Sequence, residues 1–199
     1  MERTPIRDVR SAFVVSLVGV VWTVASGGTA IALGVGSLSA VLVAFGAIGF
    51  VDAAGSVALA YHFHHAMRHD ALAEHLERIA HRVVVTGLFL VGVGAVVVGV
   101  ARLVTGATAD DSFAGTLLAA VSLVVLVVLS TRKQRIARRV GSPALRADGR
   151  LSAVGAAQAA VALFGTAARG FGWSSADAIA ATIVGLLAMT TAIVTRRQG

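Results

Sequence analysis

The sequence predicts an all-α, polytopic membrane protein with six transmembrane helices and both termini cytoplasmic. Three observations carry this. Hydrophobic residues make up 57% of the 199-residue chain and charged residues 14%, whereas a soluble domain carries about 25% charged residues. Six stretches, nearly all uncharged, reach the roughly 20 apolar residues that a helix needs to cross a bilayer. The basic residues crowd into alternate connections, the pattern of cytoplasmic loops.

The spans fall at about 11–33, 38–61, 83–104, 113–129, 144–168 and 175–195. The first is too long for the apolar region of a removed leader, and Ser37-Leu38-Ser39 leads straight into the second. The second holds Asp52. The third is rich in valine, as at Val96-Val97-Val98. Such a run favours strands in water, but its unbroken length in lipid favours a helix that satisfies its own backbone. The fourth leads into a basic stretch, Thr131-Arg132-Lys133-Gln134-Arg135-Ile136-Ala137-Arg138-Arg139, which reads as a helix-like linker against anionic lipid. The fifth and sixth complete one domain over 1–199, with no soluble domain expected.

With the amino terminus inside, 15 of the 17 basic residues lie on the inner side. Only Arg102 and Arg169 lie outside. This bias also accounts for the net charge of +7 without a nucleic-acid partner, since no basic face escapes the loops. The chain has no cysteine, which excludes disulfides, thiolate metal sites and cysteine nucleophiles.

Small residues repeat at helical spacing. Gly46, Gly49, Ala53, Ser56 and Ala60 share one face of the second span. Ser152, Gly155, Ala159, Ala162 and Thr166 share one face of the fifth, and Gly87/Gly94 and Gly92/Gly99 recur in the third. Such faces let helices approach closely in lipid, so spans two, three and five are expected to form the packed interior.

Asp52 is the sharpest residue. A carboxylate at the bilayer centre costs roughly 2.5–3.5 kcal/mol on insertion scales, so it needs a partner, a proton, a water cavity or a metal. Asp148 lies about one turn into the fifth span, between Arg146 and Arg150. It reads either as an accessory ligand or gate, or as an interfacial carboxylate paired with arginine. Gln158, in mid-span, reads as helix–helix glue.

All six histidines fall between 62 and 81. His62, His65 and His69 share a helix face, and Glu77 and His81 are spaced i, i+4. Two or three of these imidazoles with a carboxylate suit zinc or a similar divalent ion at the inner surface. The competing reading is a solvated amphipathic loop whose charge follows pH.

Together these features resemble the transmembrane domain of the cation diffusion facilitator superfamily, in particular short bacterial relatives without the cytoplasmic carboxyl-terminal domain. The likeness covers about 38–195. It rests on Gly141-Ser142-Pro143-Ala144-Leu145-Arg146-Ala147-Asp148 at the start of helix five. It rests also on Gly172-Trp173-Ser174-Ser175-Ala176-Asp177-Ala178 at the start of helix six, and on Gly49-Phe50-Val51-Asp52-Ala53-Ala54-Gly55-Ser56 in helix two. The resemblance implies a homodimeric cation-efflux antiporter of the plasma (inner) membrane, carrying a divalent cation such as zinc as substrate. It places ligand pairs at Ile48 and Asp52 on helix two and at Leu151 and Gly155 on helix five. Three of those four are not ligands, so a tetrahedral zinc site cannot be built there.

Two functions therefore stand side by side. One is a divalent-cation secondary transporter, possible with proton coupling, in which Asp52 is the intramembrane ligand or proton carrier. Asp148 is then the accessory group, and His62, His65, His69, Glu77 and His81 form an inner metal site. The other is a non-transporting scaffold, or a metal- or pH-sensing partner, of the same fold. An enzyme is not expected, because neither a Gly-x-Ser-x-Gly elbow with a suitable histidine nor a His-Glu-x-x-His motif is present.

Overall fold

A computed structural model describes residues 6–65 and 70–197, with side chains for 11–57, 82–142 and 145–197. Six helices follow one another: α1 (Ile6–Gly36), α2 (Ala40–His65), α3 (Asp70–Thr105), α4 (Phe113–Val140), α5 (Pro143–Gly170) and α6 (Ala176–Arg196). No strand occurs among the described residues. All six are long and apolar enough to cross a membrane, so the chain is a multi-pass membrane protein.

The interior and exterior are chemically inverted relative to a soluble bundle. Small residues such as Ala119, Ala159, Ala162, Ala181 and Ala188 are fully buried, while Val21, Leu90, Val97, Val104 and Val124 face outward. Lipid is as apolar as valine, so burying large side chains gains little. Close backbone packing gains more. The glycines show it. A Cβ at Gly46 in α2 would stand 2.5 Å from the Gly27 carbonyl oxygen of α1, and one at Gly92 in α3 would stand 2.8 Å from that of Gly185 in α6.

The expected small-residue faces are used unequally. Gly46 and Gly49 of α2 meet α1, whereas Ser56 meets α5. In α3, Gly87 abuts Val51 of α2, Gly92 and Gly99 abut α6, and Gly94 faces open space. The α3 span is peripheral, 28% buried against 39% for α6. The third interior helix is therefore α6 rather than α3, because α6 packs against α2, α3 and α5.

Helix ends follow local chemistry. Ser112 and Ser142 cap α4 and α5 by accepting from the Gly115 and Leu145 amides, at 3.0 and 3.2 Å. Gly141 ends α4 at φ +67°, and its amide donates to the Ala137 carbonyl. The basic linker after the fourth span is a continuous part of α4, as its helix-like pattern suggests. The long connection expected between about 61 and 82 is mostly helix as well. Helix α2 runs on to His65 and α3 begins at Asp70, since no Gly or Pro interrupts either run.

Asp177 joins the ends of α2 and α6. Its carboxylate accepts from Ser39 Oγ at 2.5 Å and from the Ala40 amide at 2.8 Å. Arg102 Nη1 lies 3.6 Å away and donates to the Leu38 carbonyl. Arg169 donates to the Ala109 carbonyl and stands 3.9 Å from Asp111. At this end both basic residues staple the connections.

Candidate functional site

All six helices line one small cavity at mid-bundle. Thr23 and Ser26 come from α1, Ile48 and Asp52 from α2, Leu88 from α3, Leu126 from α4, Leu151, Gly155 and Gln158 from α5, and Thr191 from α6. Asp52 stands about 18 Å along α2 from Ala40, at 1.5 Å per residue. The cavity volume is ≈ 30 Å³, room for about one or two water molecules. A larger cavity of ≈ 460 Å³ lies between α1, α2 and α3. Its wall is apolar apart from Ser39 and Arg102, so it offers little chemistry.

Asp52 is partly exposed because it forms the cavity wall. No hydrogen bond reaches its carboxylate from the described residues. Gln158 is 2% exposed, and its Nε2 has no hydrogen-bond partner among the described residues. Carboxamide oxygen and nitrogen are interchangeable in placement, so either end of Gln158 can address the cavity.

Two of the three hydroxyls around it are committed. Thr23 Oγ1 donates to the Gly19 carbonyl and Thr191 Oγ1 to the Leu187 carbonyl, both at 2.7 Å, whereas Ser26 Oγ makes only a long contact to the Thr23 carbonyl, at 3.4 Å. A hydroxyl has one proton and two lone pairs. With the proton committed to backbone, Thr23 and Thr191 offer lone pairs to a ligand.

Asp148 lies one layer away and is paired. Ser56 Oγ donates to its Oδ1 at 2.7 Å, and Lys133 Nζ stands 2.8 Å from its Oδ2. Lys133 also donates to Ser152 Oγ at 3.0 Å, and Ser152 donates to the Asp148 carbonyl at 3.1 Å. Lys133 and Asp148 are 2% and 5% exposed. Asp52 lies within electrostatic reach of both. The glycines make room: a Cβ at Gly19 would stand 3.0 Å from Lys133 Nζ, and one at Gly149 3.2 Å from Lys133 Cβ.

Two sequence expectations are corrected here. Lys133 is not a loop charge. It is buried, while Arg132, Arg135, Arg138 and Arg139 on the same helix are exposed. Asp148 pairs with this lysine rather than with Arg146 or Arg150, which are both exposed.

The positions at which the resemblance expects ligands, Ile48, Asp52, Leu151 and Gly155, converge on the one cavity. Asp148 is not among its lining residues. His69 lies outside the described residues. His62, His65, Glu77 and His81 fall on α2 and α3, but their side chains also lie outside the described set. Among the described residues, no group of three His, Cys, Asp or Glu side chains is placed to hold a metal ion.

Sequence reading missed Lys133 and the hydroxyl lining, and it took Gln158 for glue. One signal was available for Lys133. It is the only lysine among 17 basic residues, and it sits three residues after Ser130 and four before Ala137, all on one helix face.

No protein-family model matches the chain, and no curated protein matches it.

Proposed function

We propose that the chain is a secondary transporter for cations in which Asp52 is the intramembrane ligand and proton carrier. One observation carries this reading. Of the three carboxylates set within the helix bundle among the described residues, Asp148 is paired with Lys133 and Ser56 and Asp177 with Ser39, Ala40 and Arg102, whereas Asp52 faces a cavity and has no bonded partner among those residues. A carboxylate in mid-membrane costs several kcal/mol. Packing alone would favour alanine there, so the group is retained for what it binds.

The convergence of Ile48, Asp52, Leu151 and Gly155 supports the resemblance to the cation diffusion facilitators, with divalent cations as the cargo it implies. The basic-residue count supports cytoplasmic termini, and the plasma membrane is the location the resemblance implies. Alternating access would rock the helices about the glycine contacts.

The aliphatic side chains at Ile48 and Leu151 favour a second reading, a scaffold of the same architecture that carries nothing. Reconstitution separates the two. Liposomes holding wild type or Asp52→Ala are followed for uptake of zinc, manganese, cobalt and sodium, with and without a pH gradient. Saturable flux that collapses in the variant is the expected result. Absence of flux for every ion, from folded protein, selects the scaffold.

A further inference from the structure

The Asp52 cavity is rich in acceptors. Thr23 and Thr191 donate their protons to backbone carbonyls at 2.7 Å, Ser26 adds a hydroxyl oxygen, Asp52 supplies a carboxyl group, and Gln158 contributes a carboxamide whose oxygen is free to turn inward. A site dominated by oxygen lone pairs takes an electropositive guest. Among the described residues no imidazole, thiolate or thioether lines it, so they bring none of the nitrogen and sulfur ligands that favour zinc and other softer ions.

Charge fixes the guest further. Among the described residues Asp52 is the only ionisable group in the lining. Asp148 is balanced by Lys133 at 2.8 Å. With Asp52 ionised, the net charge facing a guest is therefore −1. A monovalent cation neutralises it, whereas a divalent one would leave an uncompensated charge away from water, which is costly. Space agrees. A volume of ≈ 30 Å³ does not hold an ion with a hydration shell, and magnesium dehydrates reluctantly and keeps several waters.

We infer that this cavity binds one monovalent, oxygen-liganded cation of the sodium class, with Asp52 as charged ligand and Gln158 as neutral ligand. The inference rests on the transporter reading and replaces the divalent cargo that the resemblance implies with a monovalent one. It gives Gln158, buried and with an amide nitrogen unpartnered among the described residues, a specific role: that amide turns its oxygen to the ion.

The test is cation-dependent stability of the full chain in detergent micelles. Thermal midpoints are measured against sodium, magnesium, manganese and zinc chlorides, with choline chloride holding ionic strength constant. Wild type is expected to show a saturable rise with sodium alone. Asp52→Asn is expected to abolish it, and Gln158→Leu to weaken apparent sodium affinity by about 10-fold or more, the loss of one ligand to a charged centre. Gln158→Glu raises the facing charge to −2. It is expected to respond to manganese at lower concentration than to sodium, and it keeps the inference testable if Gln158→Leu does not fold.

A saturable response of wild type to a divalent ion but not to sodium overturns the inference. So does a sodium response that survives in Asp52→Asn, or one unchanged in Gln158→Leu. Divalent flux that depends on Asp52 would then leave the transporter reading standing. Sodium binding at Asp52 without flux of any ion would sink that reading and leave the site.

Discussion

Replacing Lys133 with methionine keeps most of the side-chain stem and removes the ammonium. The Asp148 carboxylate would then stand in the bundle with Ser56 as its one remaining side-chain partner. At 2.8 Å the lost attraction is roughly 6 kcal/mol with an effective dielectric of about 20, before desolvation is counted. Desolvation offsets part of that, and removing one member of a buried pair costs about 3–5 kcal/mol net. Lys133→Met is therefore expected to lose that much. Lys133→Met/Asp148→Leu removes both charges and is expected to return to within about 1 kcal/mol of wild type, because buried pairs replaced by apolar residues are close to neutral. The assay is reversible unfolding in mixed micelles, closed as a double-mutant cycle with the two single variants. A loss below about 1 kcal/mol for Lys133→Met, or a double variant that costs the sum of the singles, would refute the pairing as the reason the lysine is buried.

Other outcomes follow from the same geometry. Asp177→Ala removes the acceptor of two charge-assisted hydrogen bonds and is expected to cost about 3 kcal/mol, with Asp177→Asn near half of that. Hydrogen exchange in the first turn of α2 should rise in both, and unchanged exchange would count against the cross-helix cap. Gly92→Ala drives a methyl against the Gly185 carbonyl and is expected to cost about 1–3 kcal/mol. Once α3 and α6 have parted, adding Gly185→Ala should cost less than it does alone, which unfolding of the double variant checks. Gly141→Ala places a Cβ in a left-handed conformation, at about 1–2 kcal/mol, read as a lowered thermal midpoint.

The spans were legible because lipid imposes a length and a polarity that composition alone reveals. Their ends were harder to read. Charged residues mark where a helix leaves the hydrocarbon, not where it stops, so α3 and α4 continue well past their apolar stretches. Asp52 could be found from its position alone, since a carboxylate in mid-span has few excuses. Lys133 could not, because one lysine beside four arginines looks like surface until the α5 carboxylate opposite it is known. Gln158 looked like glue for a similar reason. Only the packing reveals which polar side chain found a partner and which did not. The acceptor character of the cavity was hidden most deeply, since it depends on the threonine hydroxyls turning their protons back onto their own helices.

Lys133 and Asp148 also constrain how the chain enters the bilayer during synthesis. Each is costly when buried without its partner, on the order of 3–5 kcal/mol. They lie on consecutive helices joined only through Gly141 and Ser142. Helix α4 emerges from the ribosome first, with its ammonium uncompensated, and becomes neutral when α5 arrives beside it. These two helices should therefore leave the translocon as a hairpin rather than one at a time. A chain truncated after Val140 should leave Lys133 open to water beside its neighbouring arginines until the missing carboxylate is supplied.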